Sequence, residues 1–248
     1  MAIEVRSLAT SYPRAARIAA HRHPWGQLVF AISGVMRVTM AGREWVVPPA
    51  RAVLAPAAVE HEIAGVGAFA MRTLYLSPRL SRLAALSEPF AIDVGPLLRA
   101  LIVEVVAVGA LEGGNGLHRG YIRILLDQLA RAPRLPLSLP VPVDGRARAI
   151  AERLGADPSD SALLAELSRD AAASERTVQR LFREETGLRF TEWRRRLRLL
   201  RAAELLGEGA QVTEAALATG YASTSAFVAA FGKEMGVTPG QFRRRGGE

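Results

Sequence analysis

Ser174-Glu-Arg-Thr-Val-Gln-Arg-Leu-Phe-Arg-Glu-Glu-Thr-Gly187 is the stretch that decides how this chain is read. A serine able to cap a helix opens it, and a glycine able to end one closes it. Between them Val178, Leu181 and Phe182 recur at helical spacing, which puts Glu175, Arg176, Gln179, Arg180 and Arg183 on the opposite, outward face. The pattern returns at a spacing of 49 residues: Ser174 corresponds to Ser223, Val178 to Phe227, Phe182 to Phe231, Glu185 to Glu234 and Gly187 to Gly236. Trp193 and Arg194 likewise correspond to Phe242 and Arg243. A short apolar helix precedes each serine, Leu163–Ala171 and Val212–Thr219, and there the register slips by about one residue.

Each copy is a short helix, a tight turn and a helix of about twelve residues, the arrangement of a helix-turn-helix. The second helix of such a unit enters the major groove and reads base edges from its exposed N-terminal face. Arginine and glutamine are the side chains that read guanine and adenine through paired hydrogen bonds. Ser174, Glu175, Arg176, Gln179, Arg180 and Arg183 are therefore the candidate DNA contacts of the first copy. In the second copy Phe227 and Phe231 are core, which leaves Ser223, Thr224, Ser225, Ala229 and Lys233 for close approach, thymine methyls and phosphates. More base discrimination is expected from the first copy. Between the copies one arginine-rich helix, Thr191–Leu206, offers Arg194, Arg195, Arg196, Arg198 and Arg201 either to Glu192 and Glu204 or to phosphate.

Outward from this repeat, everything beyond Asp144 reads as helix, with Ser161, Ser174, Thr191, Thr213 and Ser223 as candidate N-caps. Residues 133–143 hold four prolines in eleven positions, which favours an extended, semi-rigid linker and marks a domain boundary. Residues 91–132 carry two helical patterns, one from Leu97 to Val108 and one from Leu117 to Leu129, suited either to covering a barrel or to a dimer seam. Residues 1–90 are β-rich: Leu28–Ile32, Val35–Met40 and Trp45–Val47 alternate with turns at Ser33-Gly34 and Ala41-Gly42-Arg43. Many short strands with close turns argue for a small sandwich or barrel.

Composition sets limits. The chain has 248 residues, half of them apolar, enough for two packed domains, and a formal net charge of +8 that favours a polyanionic partner. Absence of cysteine excludes disulfides, thiolate metal sites and a cysteine nucleophile. The start, Met-Ala-Ile-Glu-Val-Arg, lacks a signal pattern, and Val94–Leu111 is interrupted by Arg99 and Glu104, so the expectation is a soluble, cytoplasmic protein with no membrane partner.

The region from about Asp144 to Arg245 resembles the AraC/XylS class of transcription regulators. The resemblance is carried by Ser174 to Gly187, Gly220-Tyr221, Ser225-Ala-Phe227, Phe231 and Val237-Thr-Pro-Gly-Gln-Phe-Arg243. It implies two helix-turn-helix subdomains joined by one long helix, reading successive major grooves on one face of DNA. Ala171-Ala172-Ala173 departs from the pattern where glycine is usual, a change expected to stay local to the turn. Nearer the N-terminus, His21-Arg-His23, Gln27 and Gly34, followed by Pro56-Ala-Ala-Val-Glu-His61, resemble the two motifs of the cupin barrel. Gln27 stands for the usual carboxylate and Ala58 for a glycine. In metal-binding cupins the matching positions make His21, His23, Gln27 and His61 a ligand set for zinc, nickel, iron or manganese. The same residues also suit the lining of an organic-effector pocket.

The whole is read as α+β: a cupin-like sensor barrel (1–90) with a helical extension (91–132), then a double helix-turn-helix domain (144–248). The expected function is a sequence-specific regulator of promoter DNA that responds to a small molecule or metal, is not an enzyme, forms a homodimer through the extension, and meets RNA polymerase if it activates. The alternative is a cupin-type metalloenzyme fused to a DNA-binding domain. Against that alternative, no general acid or base can be placed from the sequence.

Overall fold

The computed structural model describes residues 2–49, 51–135 and 138–246, which divide into two compact units, the first made mainly of residues up to 135 and the second mainly of residues 138–244, with residues 42–44 counted in the second. The first unit is built on strands: β1 (Ile3–Tyr12), β2 (Arg17–His21), β3 (Gly26–Ser33), β4 (Met36–Met40), β5 (Arg43–Val47), β6 (Arg51–Ala55), β7 (His61–Gly65) and β8 (Phe69–Leu76). Then come α1 (Pro78–Leu83), β9 (Phe90–Asp93), α2 (Pro96–Val108), β10 (Ala110–Glu112), α3 (Gly116–Arg131) and β11 (Arg134–Leu135). One sheet has the order β10-β1-β8-β3-β6-β9-β11, and facing strands run β5-β4-β7-β2. The segment 91–132 thus gives strands to the first sheet as well as two helices.

Alternation along the central strands explains the layering. Leu28 and Phe30 of β3, Leu54 of β6 and Leu74 of β8 join a core with Leu98, Leu101, Ile102 and Val105 of α2 and Ile122, Leu125 and Leu129 of α3. The helical extension therefore covers the outer face of the first sheet. The intervening positions, Gln27 on β3 with Thr73 and Tyr75 on β8, lie on the other face, and Gln27 and Tyr75 are direct cross-strand partners. Strand β3 is consequently buried on both sides from Gly26 to Ala31, which is why it reads as an unbroken apolar run around one glutamine. Gly34 turns β3 into β4 with φ +72°, and a Cβ there would collide with the Ala68 carbonyl oxygen.

The second unit holds β12 (Ser138–Pro140) and helices α4 (Gly145–Ala156), α5 (Leu164–Asp170), α6 (Glu175–Thr186), α7 (Phe190–Gly207), α8 (Val212–Ala218), α9 (Thr224–Met235) and α10 (Pro239–Gly246). Its proline-rich start is fastened down: Trp193 Nε1 donates to the Pro140 carbonyl at 2.8 Å, and Glu185 Oε2 accepts from the Val143 and Asp144 amides at 2.7 and 3.1 Å. Asp144 caps α4, and the hydrogen-bonded Arg146 guanidinium holds its carboxyl at about 2.

Ser174 and Ser223 cap α6 and α9 as expected, each accepting from an amide three residues on at 3.2 Å. Ser161, Thr191 and Thr213 do not cap. Glu166, Glu192 and Glu214 instead reach back to the amides of Leu163, Arg189 and Gln211 at 2.9, 3.0 and 2.8 Å, and these acids fix where α5, α7 and α8 begin. The slipped register between the two copies also has a structural cause. Left-handed Ala172 (φ +50°) lies two residues before its cap, whereas left-handed Gly220 (φ +74°) lies three before its own, so the second turn is one residue longer. An alanine held in this region costs about 1 kcal/mol that glycine avoids.

Candidate DNA-reading helices and histidine cluster

Helix α6 buries Val178, Leu181 and Phe182 and exposes Ser174, Glu175, Arg176, Gln179, Arg180 and Arg183. Helix α9 buries Phe227, Phe231 and Met235 and exposes Thr224, Ser225, Ala226, Ala229 and Lys233, with its cap Ser223 also exposed. Every residue predicted to touch DNA is thus accessible. In the first copy, Phe182 meets Phe190 and Trp193 edge-on with centroids 5.2 and 5.1 Å apart, which anchors α6 against the start of α7. In the second copy Phe231 meets Phe242 of α10 edge-on at 5.3 Å, with Phe227 of its own helix tilted against it at 5.5 Å. Arg176, Gln179, Arg180 and Arg183 line a cleft of about 500 Å³ whose far wall is Leu164, Arg189, Phe190 and Thr191. Four guanidinium groups around one cleft make a strongly anion-attracting surface. Arg180 is the exception to an open face, lying 2.6 Å from Glu184 one turn on, a surface pair worth a few tenths of a kcal/mol.

The arginines of α7 divide differently. Arg194 donates to the carbonyls of Ala162 (2.8 Å) and Asp160, and Arg198 donates to those of Pro158 and Asp160 at 2.9 Å each. These two arginines fasten the loop after α4 to α7. Arg196 pairs with Glu234 of α9 at 2.8 Å, and Arg201 with Glu204 at 2.8 Å. Arg195, half-exposed and 3.9 Å from Glu234, is held more loosely than Arg196 and Arg201. Sequence periodicity cannot separate such roles, because loop carbonyls as partners leave no trace in the spacing of side chains.

In the first unit the two histidine motifs come together. His21 ends β2, His61 begins β7 directly opposite it, and His23 follows β2. The ligand atoms of His21, His23 and His61 lie within 4.8 Å of one another, the only such group of histidines or acids among the described residues. Ala58, where the resemblance expects glycine, adopts φ +62°, and its amide donates to the His23 carbonyl at 2.8 Å, pinning that turn against the first motif.

Each imidazole is oriented by a backbone carbonyl: His21 Nδ1 by Ala19 at 2.9 Å, His23 Nδ1 by Trp25 at 2.7 Å and His61 Nδ1 by Val59 at 2.9 Å. A carbonyl only accepts, so in the neutral ring the proton sits on Nδ1 and Nε2 keeps a lone pair. His23 Nε2 and His61 Nε2 then face Gln27 Oε1, itself an acceptor, at 3.0 and 2.8 Å. The Gln27 amide nitrogen is turned away and donates to Thr73 Oγ1 at 2.8 Å. Lone pairs meeting at hydrogen-bond distance need a positive charge between them. Protonating His61 is disfavoured: burial pushes its imidazole down, more than the bond to the Val59 carbonyl raises it, and the charges of His21 and His23 push it further. A divalent cation meets the need without placing several imidazolium charges together, and histidines oriented by carbonyls through their second nitrogen are the usual supports of a metal site. Tyr75 closes one side, its ring edge-on to His23 at 5.1 Å, with its phenol pushed up by burial. Thr73 and Tyr75 have no motif of their own in the sequence, and β-strand alternation together with register to Gln27 is the signal that would find them.

A duplicated helix-turn-helix whose second helices, α6 and α9, each leave one face exposed, in one chain with a small barrel, is the organisation of a two-part regulator of transcription. The "Helix-turn-helix domain" family matches residues 167–245, and the "Cupin domain" family matches residues 8–77. The HTH-type transcriptional regulator NimR of Escherichia coli is 32% identical over 225 residues, 91% of this chain and 82% of that protein. The regulator RipA of Corynebacterium glutamicum is 38% identical over 133 residues, 54% of this chain and 38% of its own. A solved structure of ToxT from Vibrio cholerae aligns over 98% of both chains with a TM-score of 0.42 and 12% identity, too distant a likeness to bear on function. The chain belongs to the AraC family of helix-turn-helix transcriptional regulators and carries an N-terminal cupin domain. No helix among the described residues is long and apolar enough to cross a membrane.

Proposed function

We propose that this regulator senses a divalent transition metal in its cupin domain and reads promoter DNA through α6 and α9. The observation that carries the metal reading is the convergence of His23 Nε2 and His61 Nε2 on the oxygen, not the nitrogen, of Gln27. An organic effector held by hydrogen bonds would be equally well served by either end of that amide. His21, His23, His61 and Gln27 form a borderline, nitrogen-rich set that suits zinc, nickel or iron over calcium or magnesium. When bound, the metal supplies a fixed positive charge that draws β2, β3 and β7 together, and regulation follows if the DNA-competent state binds it more or less tightly than the other.

On the DNA side, Arg176, Gln179, Arg180 and Arg183 read bases, while Ser223, Thr224, Ser225 and Ala229 allow close approach and Lys233 contacts phosphate. Exposed Leu97 and Val103 on α2 and Leu117 and Ile124 on α3 support a homodimer through the extension.

The test is metal content by mass spectrometry on untagged protein, beside the His21→Ala/His61→Ala double variant, followed by DNA binding with and without chelator. Near-stoichiometric metal in the wild type, its loss in the double variant, and a chelator-dependent change in DNA affinity are expected. Metal-free wild type after incubation with zinc, nickel, iron and manganese would overturn the metal reading and leave an organic effector.

A further inference from the structure

We infer that Thr73 is the residue that makes the histidine cluster a cation site, by holding the Gln27 amide with its oxygen toward the imidazoles. The inference rests on the metal reading above. An amide side chain has two ends of nearly equal shape and opposite character. Turned the other way, Gln27 would aim its NH₂ at the lone pairs of His23 and His61, donate to both, and close the cluster to any cation. The choice between these two orientations is therefore the choice between a metal site and a self-satisfied polar cluster.

Thr73 decides it. The residue is fully buried on β8, two positions from Tyr75, which is the cross-strand partner of Gln27. Its hydroxyl proton is already committed, because Thr73 Oγ1 donates to the Leu28 carbonyl at 2.9 Å. Toward Gln27 the same oxygen can then only accept, which it does from Nε2 at 2.8 Å. A flipped Gln27 would bring oxygen against oxygen, and relieving that clash means giving up the bond to Leu28. Oε1 of Gln27 thus faces two imidazoles while its Nε2 is taken up by Thr73.

This also gives a physical reason for glutamine where the cupin resemblance expects a carboxylate. A carboxylate presents oxygen in either orientation and needs nothing to fix it. An amide needs a neighbour that only accepts, and Thr73 is that neighbour. Thr73 is thus a positioning residue: it lies behind Gln27 and acts on the site through it.

The experiment uses the full chain, stripped of metal and titrated with zinc against a chromophoric chelator. Thr73→Val removes the hydroxyl at nearly constant volume and is expected to weaken zinc binding about tenfold, in line with other supports behind metal ligands. Thr73→Ser keeps the hydroxyl and is expected to bind as the wild type does. Adding Gln27→Glu to Thr73→Val is expected to restore affinity, because a carboxylate has no wrong way round. Circular dichroism establishes that each variant is folded, and Thr73→Ala serves as the hydroxyl-free variant if valine prevents folding. Hydroxyl-free variants that bind zinc as tightly as wild type would overturn the inference. So would a loss that Gln27→Glu fails to restore, which would make Thr73 a packing residue only. Wild type that binds no zinc, nickel, iron or manganese is a separate result and overturns the metal reading itself.

Discussion

Replacing Arg176, Arg180 and Arg183 together by alanine is expected to weaken binding to the specific DNA site by a factor of at least about a hundred. All three are exposed on α6 beside Gln179 and line one cleft with Arg189, so truncation leaves the buried face of Val178, Leu181 and Phe182 intact. A bidentate arginine–guanine contact is worth roughly 5- to 150-fold in discrimination, and the nonspecific attraction of the remaining positive charge persists. Circular dichroism and melting temperature should therefore match the wild type while site affinity collapses. Fluorescence anisotropy at fixed salt, on the specific site and on a random duplex, separates the contributions. Loss on the specific site alone marks base reading, whereas equal loss on both, with a shallower salt dependence, marks phosphate contact. Unchanged affinity on both would remove α6 from the DNA interface. Arg180 starts from a pair with Glu184, but an exposed pair of this kind is weak enough to be exchanged for a base edge.

The second large effect is expected in the barrel. Zinc at about a thousand times its dissociation constant stabilises the state that binds it by about 4 kcal/mol. For a unit of this size that is a rise of roughly 10 °C or more in melting temperature, visible by calorimetry as a shift of the barrel transition. The His21→Ala/His61→Ala variant should show no such shift. The sign with pH follows from the ligands. Metal needs neutral imidazoles, so the zinc-induced shift should shrink on acidification, and His61, which burial pushes below its ordinary value, stays available as a ligand further into acid than a free imidazole would. A barrel that melts at the same temperature with and without zinc, nickel, iron or manganese contradicts the metal reading.

Much of this architecture is legible in the sequence because the repeat is written in residues whose physics is local. Ser174 and Ser223 cap, Gly187 and Gly236 take the left-handed conformation at φ +73° and +71°, and the phenylalanines between them are buried. Those choices depend on a residue and its near neighbours, so they survive a reading without coordinates. Where an acid three residues in sets the helix start, the caps expected at Ser161, Thr191 and Thr213 miss the observed caps Leu163, Arg189 and Gln211 by two residues, the first too early and the other two too late, because serine and threonine are the more obvious capping residues. The histidine cluster was legible as a set from its two motifs. Its polarity was not, since the direction of the Gln27 amide is decided by Thr73, forty-six residues away in sequence. Arg194 and Arg198 make the same point: they bind loop carbonyls brought near by tertiary folding, and a run of arginines alone suits phosphate as well. Contributions of β9 and β10 to the sheet were hidden for a related reason, being short strands recruited by pairing to β6 and β1 rather than by their own composition.

Recognition of a defined DNA sequence by α6 and α9 together is tested by selecting bound duplexes from a random pool with the 248-residue chain, followed by sequencing over several rounds. The expected outcome is one enriched site with two clusters of constrained bases about one helical turn, roughly 10 base pairs, apart. The cluster read by α6 should be the more tightly constrained of the two. A pool that remains random after selection would contradict sequence-specific recognition and leave the chain a nonspecific binder of the DNA backbone.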